Sequence, residues 1–332
     1  MSLSNKRIQD PILTQLAQGY HNAELVADTL MPVVEIEKEA GKIPQFGRLA
    51  FRVRTTVREL HGDSNRLSPE DVGVLSIELK EHDAEYPIDY REDYEANYPL
   101  KQYATTVIQD VIALGREVKV AEIAQNPDNY DESNVMRLTD TNRFTNAKSN
   151  PLKIIDEGLN VVTSTIGRTP NTCIIASDVW AVLKENKELL ERIKYTRTGI
   201  LTPQIFAELI GVSTVRIGSA SQEKDEQLVK IWSNSIVLAY VPEKAKQKKG
   251  SIFEPSYGYT VRRENGLVVD TYTEKGGKVE IVRCTDIHEP CLVGKSAGYL
   301  ILDCIKQAET DTEQGQNSSS SQPKNKATSP KE

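Results

Sequence analysis

The stretch of residues 171–218 reads NTCIIASDVWAVLKENKELLERIKYTRTGILTPQIFAELIGVSTVRIG. The apolar run at 173–176 is typical of a buried strand, because it is short and bounded by polar residues. Ser177 and Asp178 follow it directly, and both residue types are favoured where a helix begins. The first half of the stretch therefore predicts a strand that leads into a helix.

The second half of the stretch has start and stop residues for another helix. Thr202 has the side chain of an N-cap, Pro203 suits the first helical position, and Gly211 suits the position just past the last turn. A strand is expected at 212–218. The whole unit of strand, helix, helix and strand contains no nucleophile, base or metal cluster, so it predicts a fold and not a reaction.

The composition limits the classes of function. The 332 residues carry a net charge of −7, which favours solubility and argues against tight binding of the whole surface to nucleic acid or anionic membrane. No apolar span is long enough to cross a bilayer, and the first ten residues contain no apolar core of a signal peptide. The irregular spacing of the four cysteines favours a reducing cytosol over a disulfide scaffold: Cys173, Cys284, Cys291 and Cys304.

The N-terminal part predicts a short helix and then a long hairpin. Asp10 and Pro11 suit the N-cap and the first position of the helix. Arginines alternate with apolar residues from Arg48 onward, and a second alternating run spans 75–80. The segment 59–71 between the two runs is polar and rich in turn residues. Because an isolated two-stranded hairpin is marginal in water, we expect this one to pack against something else.

The arginine face of this hairpin is the sharpest candidate for binding. It consists of Arg48, Arg52, Arg54 and Arg58, whose guanidinium groups suit phosphate or carboxylate. A nucleic-acid groove normally adds stacking aromatic side chains, and the nearby Phe51 lies on the opposite face of the strand. Acidic residues such as Glu78 are available in the chain itself. We therefore favour self-association through complementary charge, with a merely solvated face as the alternative.

A long helix is predicted in the middle of the chain. Apolar residues recur at steps of four and three over 100–121, Pro99 fits in the first turn, and Asn126 with Pro127 ends the run. A helix of roughly 26 residues would be about 39 Å long. Such a length exceeds that of most helices in globular proteins.

The remainder of the chain predicts one more helix and several strands. Asn150 caps the helix, which Gly167 ends. Asn265 with Gly266 between two β-rich runs predicts a tight hairpin. The polar segment beyond Ile305 is expected to be a disordered tail.

Four other residue groups could be interpreted as catalytic or binding sites, but the sequence does not favour that interpretation. The zinc-ligand set of Cys284, His288 and Cys291 lacks a fourth ligand. The acidic cluster of Glu81, His82, Asp83 and Glu85 lacks a buried setting. The phosphate-loop ending at Gly294, Lys295 and Ser296 lacks the first glycine of that motif, and the dehydrogenase-like pair of Tyr240 and Lys244 lacks a glycine-rich turn. We expect no catalytic, cofactor-binding or metal-binding residue in the chain.

Four stretches, in this order, resemble the major capsid proteins of tailed bacteriophages. They are the segment 26–42 with its Pro32-Val33 turn and Gly41-Lys42 pair, the hairpin with the long helix, the unit at 171–218, and a last strand at 297–301. The resemblance implies an α+β protein with the tailed-phage major capsid fold. The implied parts are an N-terminal arm (1–45), an extended β-hairpin loop (46–90), a peripheral domain with a long spine helix (91–149), an axial domain (150–274), return strands of the peripheral domain (275–305) and the tail (306–332).

The resemblance also implies a structural function and not an enzyme. Subunits would assemble in the host cytoplasm into pentamers and hexamers, and these into the icosahedral head of a virion around double-stranded DNA, without sequence-specific binding, cofactor or membrane. Further partners would be a portal and separate scaffolding or decoration proteins, because no long charged helical segment precedes the arm. Two alternatives stay open: an encapsulin-like nanocompartment shell with the same fold, and a soluble enzyme of unrecognised type.

Overall fold

The computed structural model of the chain describes residues 10–18, 24–45, 56–65, 73–194, 200–243 and 256–306. The helices are α1 (Pro11–Gln18), α2 (Ala27–Leu30), α3 (Tyr90–Glu95), α4 (Leu100–Gln125), α5 (Pro151–Ile166), α6 (Ser177–Leu183), α7 (Lys187–Ile193) and α8 (Pro203–Ile210). The strands are β1 (Val33–Ile36), β2 (Ala40–Gln45), β3 (Gly73–Glu78), β4 (Lys80–Asp89), β5 (Val135–Arg137), β6 (Thr172–Ala176), β7 (Thr214–Gly218), β8 (Ser221–Lys224), β9 (Gln227–Lys230), β10 (Ser235–Ala239), β11 (Gly258–Arg263), β12 (Val268–Glu274), β13 (Val279–Leu292) and β14 (Gly298–Leu302).

The first sheet is built around the 14-residue strand β13. β4 runs antiparallel along one edge of β13, from Lys80 opposite His288 to Asp89 opposite Val279. β11 and β12 also run antiparallel to β13, and β1 adds a parallel strand outside β11. α4 packs across this sheet, on β13 and β4.

The predicted hairpin at Asn265 and Gly266 was wrong. Both flanking strands pair with β13, β11 opposite 288–292 and β12 opposite 279–285, so they follow one another along the same edge. The turn itself forms, since Asn265 has a positive φ of 56° and the Gly266 N–H donates to the Arg263 carbonyl at 2.8 Å. The turn residues thus adopt the expected conformation, but both flanking strands pair with β13. A turn at Lys275–Gly277 connects β12 to β13.

The second sheet has the strand order β5-β14-β10-β6-β7, and it contains the unit at 171–218. That unit is confirmed: β6 and β7 are parallel, with helices between them along the chain. The Thr202 hydroxyl accepts from the Ile205 N–H at 3.3 Å, and Gly211 ends α8 with a φ of 70°. The prediction missed α7, which Asn186 caps by accepting from the Glu188 N–H at 3.1 Å.

The two sheets are interleaved along the chain. β11 and β12, expected in the axial segment 150–274, lie in the sheet of β4 and β13. β14, expected among the return strands at 275–305, lies inside the second sheet between β5 and β10. The two sheets therefore do not correspond to two continuous segments of the chain. Paired strands can be far apart in the sequence, and local sequence patterns do not specify which strands pair.

The predicted long hairpin is present at its base. β2 pairs antiparallel with β3 from Ala40 opposite Glu78, earlier in the chain than the predicted start at Arg48. Ile43 and Ile77 are buried and pack with residues of β1, β11 and β13, so the base rests on its own first sheet. The segments 46–55 and 66–72, which carry Arg48, Arg52 and Arg54, lie outside the described residues.

The predicted long helix is confirmed as α4, with 26 residues. Its buried face differs from the predicted stripe, since Val111 is 59% exposed whereas Ile108 and Ile112 are buried. The first half of α4 packs on α1 and the first sheet, and the second half packs into the core of the second sheet, so no single stripe is buried throughout. In the part of the chain that the structure describes, no helix is long and apolar enough to span a membrane.

One buried carboxylate on α4 joins three parts of the chain. The Glu117 side chain is fully buried, and its Oε2 accepts from the N–H groups of Val26 and Ala27 at 2.9 and 2.7 Å. Its Oε1 accepts from the indole Nε1–H of Trp232 at 2.6 Å. Burial raises the pKa of Glu117, and the three donors act in the opposite direction. The carboxylate thus fixes α2 and the segment before β10 onto the long helix.

A buried group of charged side chains lies between α4 and the first sheet. Oδ2 of Asp286 lies 2.7 Å from the Arg262 guanidinium and 3.1 Å from Nδ1 of His288. Burial alone would raise the pKa of Asp286, but His288 and Arg262 hold it well below its usual range. The rings of His82 and His288 stack with centroids 4.5 Å apart, and burial, followed by His288 and Lys119, lowers the pKa of His82.

Replacing Glu117 by Gln should destabilise the subunit. The carboxylate faces three donors and needs none of its own, whereas an amide would turn its NH₂ toward at least one of them. We expect a loss on the order of 1–3 kcal/mol in the free energy of unfolding, measured by denaturant titration. The control is Glu122→Gln, an exposed site on the same helix, which should change little. Equal stability of the two variants would contradict the role assigned to Glu117.

Replacing His82 by Phe should weaken the acid sensitivity of the fold. The folded-state pKa of His82 lies below 6.5, so the unfolded chain binds the proton first and stability falls as the pH drops below about 6.5. Phe keeps a stacking ring and removes the titration. Unfolding titrations at several pH values between 7.5 and 5 should show a shallower loss than wild type. His61→Asn, at the exposed His61, should keep the wild-type slope; an unchanged slope in His82→Phe would refute the assignment.

Candidate self-association surfaces

The tip of the extended hairpin presents charged and apolar side chains to solvent. Within the described residues 56–65, Val57 and Leu60 are 80% and 89% exposed. The turn is held by backbone contacts, including the Gly62 N–H to the Glu59 carbonyl at 3.0 Å. Large apolar side chains this exposed are typical of a binding surface when they cluster on a protruding element.

The structure describes two of the five predicted contact residues. Nη1 of Arg58 donates to the Gly62 carbonyl at 2.8 Å, so this exposed guanidinium also supports its own turn. Glu78 is exposed at the end of β3, opposite Ala40 at the base of the hairpin. Arg58 and Glu78 belong to two separate described segments of the hairpin, 56–65 and 73–78.

A second exposed surface was not among the predicted contacts. It consists of four tyrosines on and around α3, which we call the tyrosine surface: Tyr90, Tyr94, Tyr98 and Tyr103. Tyr94 is 90% exposed, and the other three are about half exposed. The rings of Tyr98 and Tyr103 meet edge to face with centroids 5.6 Å apart. Tyrosine is enriched in protein interfaces because it combines a large apolar ring with a hydrogen-bonding hydroxyl.

The short helix α3 holds these tyrosines among acidic groups. Asp89 caps the helix by accepting from the Arg91 N–H at 3.0 Å, and Glu92 reaches back to the Asp89 N–H at 3.3 Å. No residue of α3 is buried, so the helix forms without contributing a core side chain. Its carboxylates Glu92, Asp93 and Glu95 are exposed, and the Arg91 guanidinium lies 6.0 Å from the centroid of the Tyr90 ring. Together these groups suit an arginine-bearing ligand, by ion pairing and by stacking of guanidinium on tyrosine.

A groove beside the tyrosine surface extends it toward α1. The groove has a volume of about 290 Å³ and lies between Ile12 of α1 and Asp93 with Pro99. Ile12 and Leu16 point outward from α1 and are exposed, whereas Leu13 and Ala17 of the same helix are buried against α4. Asp93 lines the groove and belongs to the same helix as Tyr90 and Tyr94, so the groove borders the tyrosine surface.

Members of two of the alternative chemical groups have structural settings, and Lys244 of a third group lies outside the described residues. Cys284 is buried against Gln109, and burial raises its pKa to about 12; burial likewise raises the pKa of Cys291 to about 11. Burial therefore favours the protonated form of both thiols. Lys295 donates to the Asp128 carbonyl at 2.9 Å and so fastens a loop. Within the described residues, no group of three or more His, Cys, Asp or Glu side chains is placed to hold a metal ion.

The tyrosine surface has a partial signal in the sequence. Tyr90, Tyr94 and Tyr98 recur every four residues in a segment rich in acids. Tyr90 and Tyr94 lie one turn apart on α3, and Tyr98 follows the end of that helix. The contact residues predicted from the sequence do not include these tyrosines. The structure adds the groove, which depends on how α1 packs and has no local sequence pattern.

Comparison with known proteins identifies the family. No model of a protein family matches the sequence. The chain is 47% identical over 300 residues to the major capsid protein of Burkholderia phage BcepMu, covering 90% of this chain and 97% of that protein. The crystal structure of a phage-related protein from Bordetella bronchiseptica RB50 superposes with a TM-score of 0.76 at 27% identity, covering 90% of this chain and 98% of that one.

A more distant likeness extends to shells outside phages. The virus-like particle protein of Pyrococcus furiosus superposes with a TM-score of 0.54 at 11% identity, covering 87% of this chain and 95% of that one, which shows a shared fold. The α+β architecture is the tailed-phage capsid fold, as predicted. With 47% identity across nearly the full length of both chains, this protein belongs to the family of bacteriophage major capsid proteins.

Proposed function

We propose that the chain is the shell-forming subunit of a phage head, which assembles into pentamers and hexamers and then into an icosahedral shell around double-stranded DNA. The observation that carries the proposal is the 47% identity to a phage major capsid protein. The exposed hairpin tip and the tyrosine surface support it, because a subunit of a closed shell needs more than one self-association surface. The chain would act as a structural protein and not as an enzyme.

The central contact in this proposal joins the arginine face of one copy to the tyrosine surface of the next. The arginine face comprises Arg48, Arg52, Arg54 and Arg58, and the tyrosine surface carries Glu92, Asp93 and Glu95 among its rings. The charges are opposite, and arginine with tyrosine is a frequent pairing at the centre of interfaces.

We propose that the subunit divides into two domains and a projecting loop. The first sheet with α4 would form the peripheral domain, the second sheet with α5 to α8 the axial domain, and the hairpin beyond β2 and β3 the extended loop. The fold is shared with the virus-like particle protein of Pyrococcus furiosus, and an encapsulin-like nanocompartment shell is the second candidate. The higher identity to a phage protein favours the phage head.

Assembly would take place in the host cytoplasm, and the assembled subunit would be part of the virion. A portal and separate scaffolding or decoration proteins are further partners under this proposal. DNA contact would depend on charge and confinement and not on base sequence, since the net charge of −7 does not suit a tight nucleic-acid binder.

Reversing charges on either surface should block assembly, and reversing both should restore it. Arg52→Glu with Arg54→Glu places like charges at the contact, as does Asp93→Lys with Glu95→Lys. Each pair alone should abolish shells and capsomer rings while circular dichroism and unfolding remain as in wild type. The four changes together recreate opposite charges, so particles should return in electron micrographs and in sedimentation.

The matched control is Lys184→Glu with Lys187→Glu, which makes the same change in net charge at two exposed sites near α7. This variant should assemble as wild type does. Normal assembly of the Arg52 and Arg54 variant would rule out the proposed contact. Discrete wild-type monomers or dimers with an enzymatic turnover would rule out the capsid function, and particles that enclose a protein cargo in place of phage DNA would favour the nanocompartment.

A further inference from the structure

The hairpin of β8 and β9 is a separate, exposed element. Its two strands pair only with each other among the described strands, with Ser221 opposite Lys230 and Lys224 opposite Gln227. Its turn residues Asp225 and Glu226 both have positive φ, 53° and 61°. This turn type matches the twist of the strands but favours glycine, which is absent here.

The hairpin is firmly rooted but uncovered. At its base the Ile231 N–H donates to the Ala220 carbonyl at 3.0 Å, and Trp232 beyond it is buried on Glu117. Farther out, Leu228 is 81% exposed and Val229 is 43% exposed. A two-stranded sheet with free edges and an uncovered apolar residue is marginal in water unless something packs on it. The described parts of the subunit supply no such cover.

One face of this hairpin is complementary to itself. Directly opposed residues and alternate residues of a strand share a face, so Ser221, Glu223, Leu228 and Lys230 project together. Ser221 and Leu228 lie at opposite corners of this four-residue patch, and Glu223 and Lys230 occupy the other two corners. Glu223 therefore lies on one side of the diagonal from Ser221 to Leu228, and Lys230 lies on the other side.

We infer that this patch binds the same patch of a second copy across a two-fold axis. An axis along the diagonal from Ser221 to Leu228 places Leu228 on Leu228 and each Glu223 opposite the partner's Lys230. The strands then cross near a right angle, which is one of the two common arrangements of packed sheets. A contact of this kind uses one surface on both copies and closes on itself.

The inferred contact differs from the proposed contact of the arginine face. An arginine face on a tyrosine surface joins two different patches, which generates a ring. Rings need a second contact, on another surface, before they can close into a shell. The inference rests on the proposed shell function and assigns the hairpin of β8 and β9 to the joining of one ring to another.

The test uses charge reversal at the two polar corners of the patch in the full-length chain. Glu223→Lys alone and Lys230→Glu alone each create two like-charge pairs across the axis, so the number of closed shells should fall by roughly tenfold or more. The double variant exchanges the two charges on both copies and should restore shells to the wild-type level. Lys224→Glu, on the opposite face of the hairpin, is the control and should assemble normally.

The readouts are the fractions of closed shells and of free rings, from electron microscopy and sedimentation, with circular dichroism as the check on folding. Accumulation of free rings in the single variants and recovery in the double variant would support the inference. Normal shells in either single variant, or single-variant defects that the double variant does not repair, would overturn it. If wild-type protein forms neither rings nor shells, the proposed function itself fails, which is a separate outcome.

Discussion

The buried carboxylate of Glu117 is the constraint on which the arrangement of the subunit depends. It lies on the long helix α4 and accepts three hydrogen bonds, two from the backbone of the N-terminal segment and one from Trp232. Trp232 in turn fills the space above Gly218, where an added Cβ would lie 2.4 Å from the indole ring. Burying a carboxylate without hydrogen-bond donors is unfavourable. Glu117 therefore holds the N-terminal segment, α4 and Trp232 in one relative position.

This fixed core explains how the exposed elements can act as contact surfaces. The hairpin of β8 and β9 begins next to Trp232, and the base of the extended hairpin rests on the first sheet through Ile43 and Ile77. The tyrosine surface lies at the start of the helix that Glu117 anchors. Rigid placement lowers the entropic cost of association, so weak individual contacts can add up over a shell.

The sequence predicted those parts of the fold that depend on local chemistry. The caps of the helices at Asn150 and Thr202, and the length of α4, follow from residue types at neighbouring positions, and the structure confirms them. Strand partners are decided by residues far apart in the chain, which is why the turn at Gly266 was correct and its hairpin was wrong. The role of Glu117 was not predicted, because a glutamate in an amphipathic pattern is expected on the solvent side.

The same distinction applies to the candidate surfaces. The arginines of the extended hairpin could be found by their alternation, whereas the tyrosine surface and its groove depend on the folded position of α3 beside α1. The four-residue patch on β8 and β9 emerges only from the register that places Glu223 opposite Leu228. Complementarity between two copies depends on the shape and position of both surfaces. The residue pattern of one strand describes only one of these surfaces.

The most direct test of this account is a cryo-electron microscopy reconstruction of assembled particles at a resolution that shows side chains. We expect residues 46–58 of one subunit to lie across the tyrosine surface of its neighbour, with arginine side chains against Tyr94 and the acids of α3. A closed particle in which that surface remains open to solvent, or in which the arginine strand contacts only its own subunit, would contradict it.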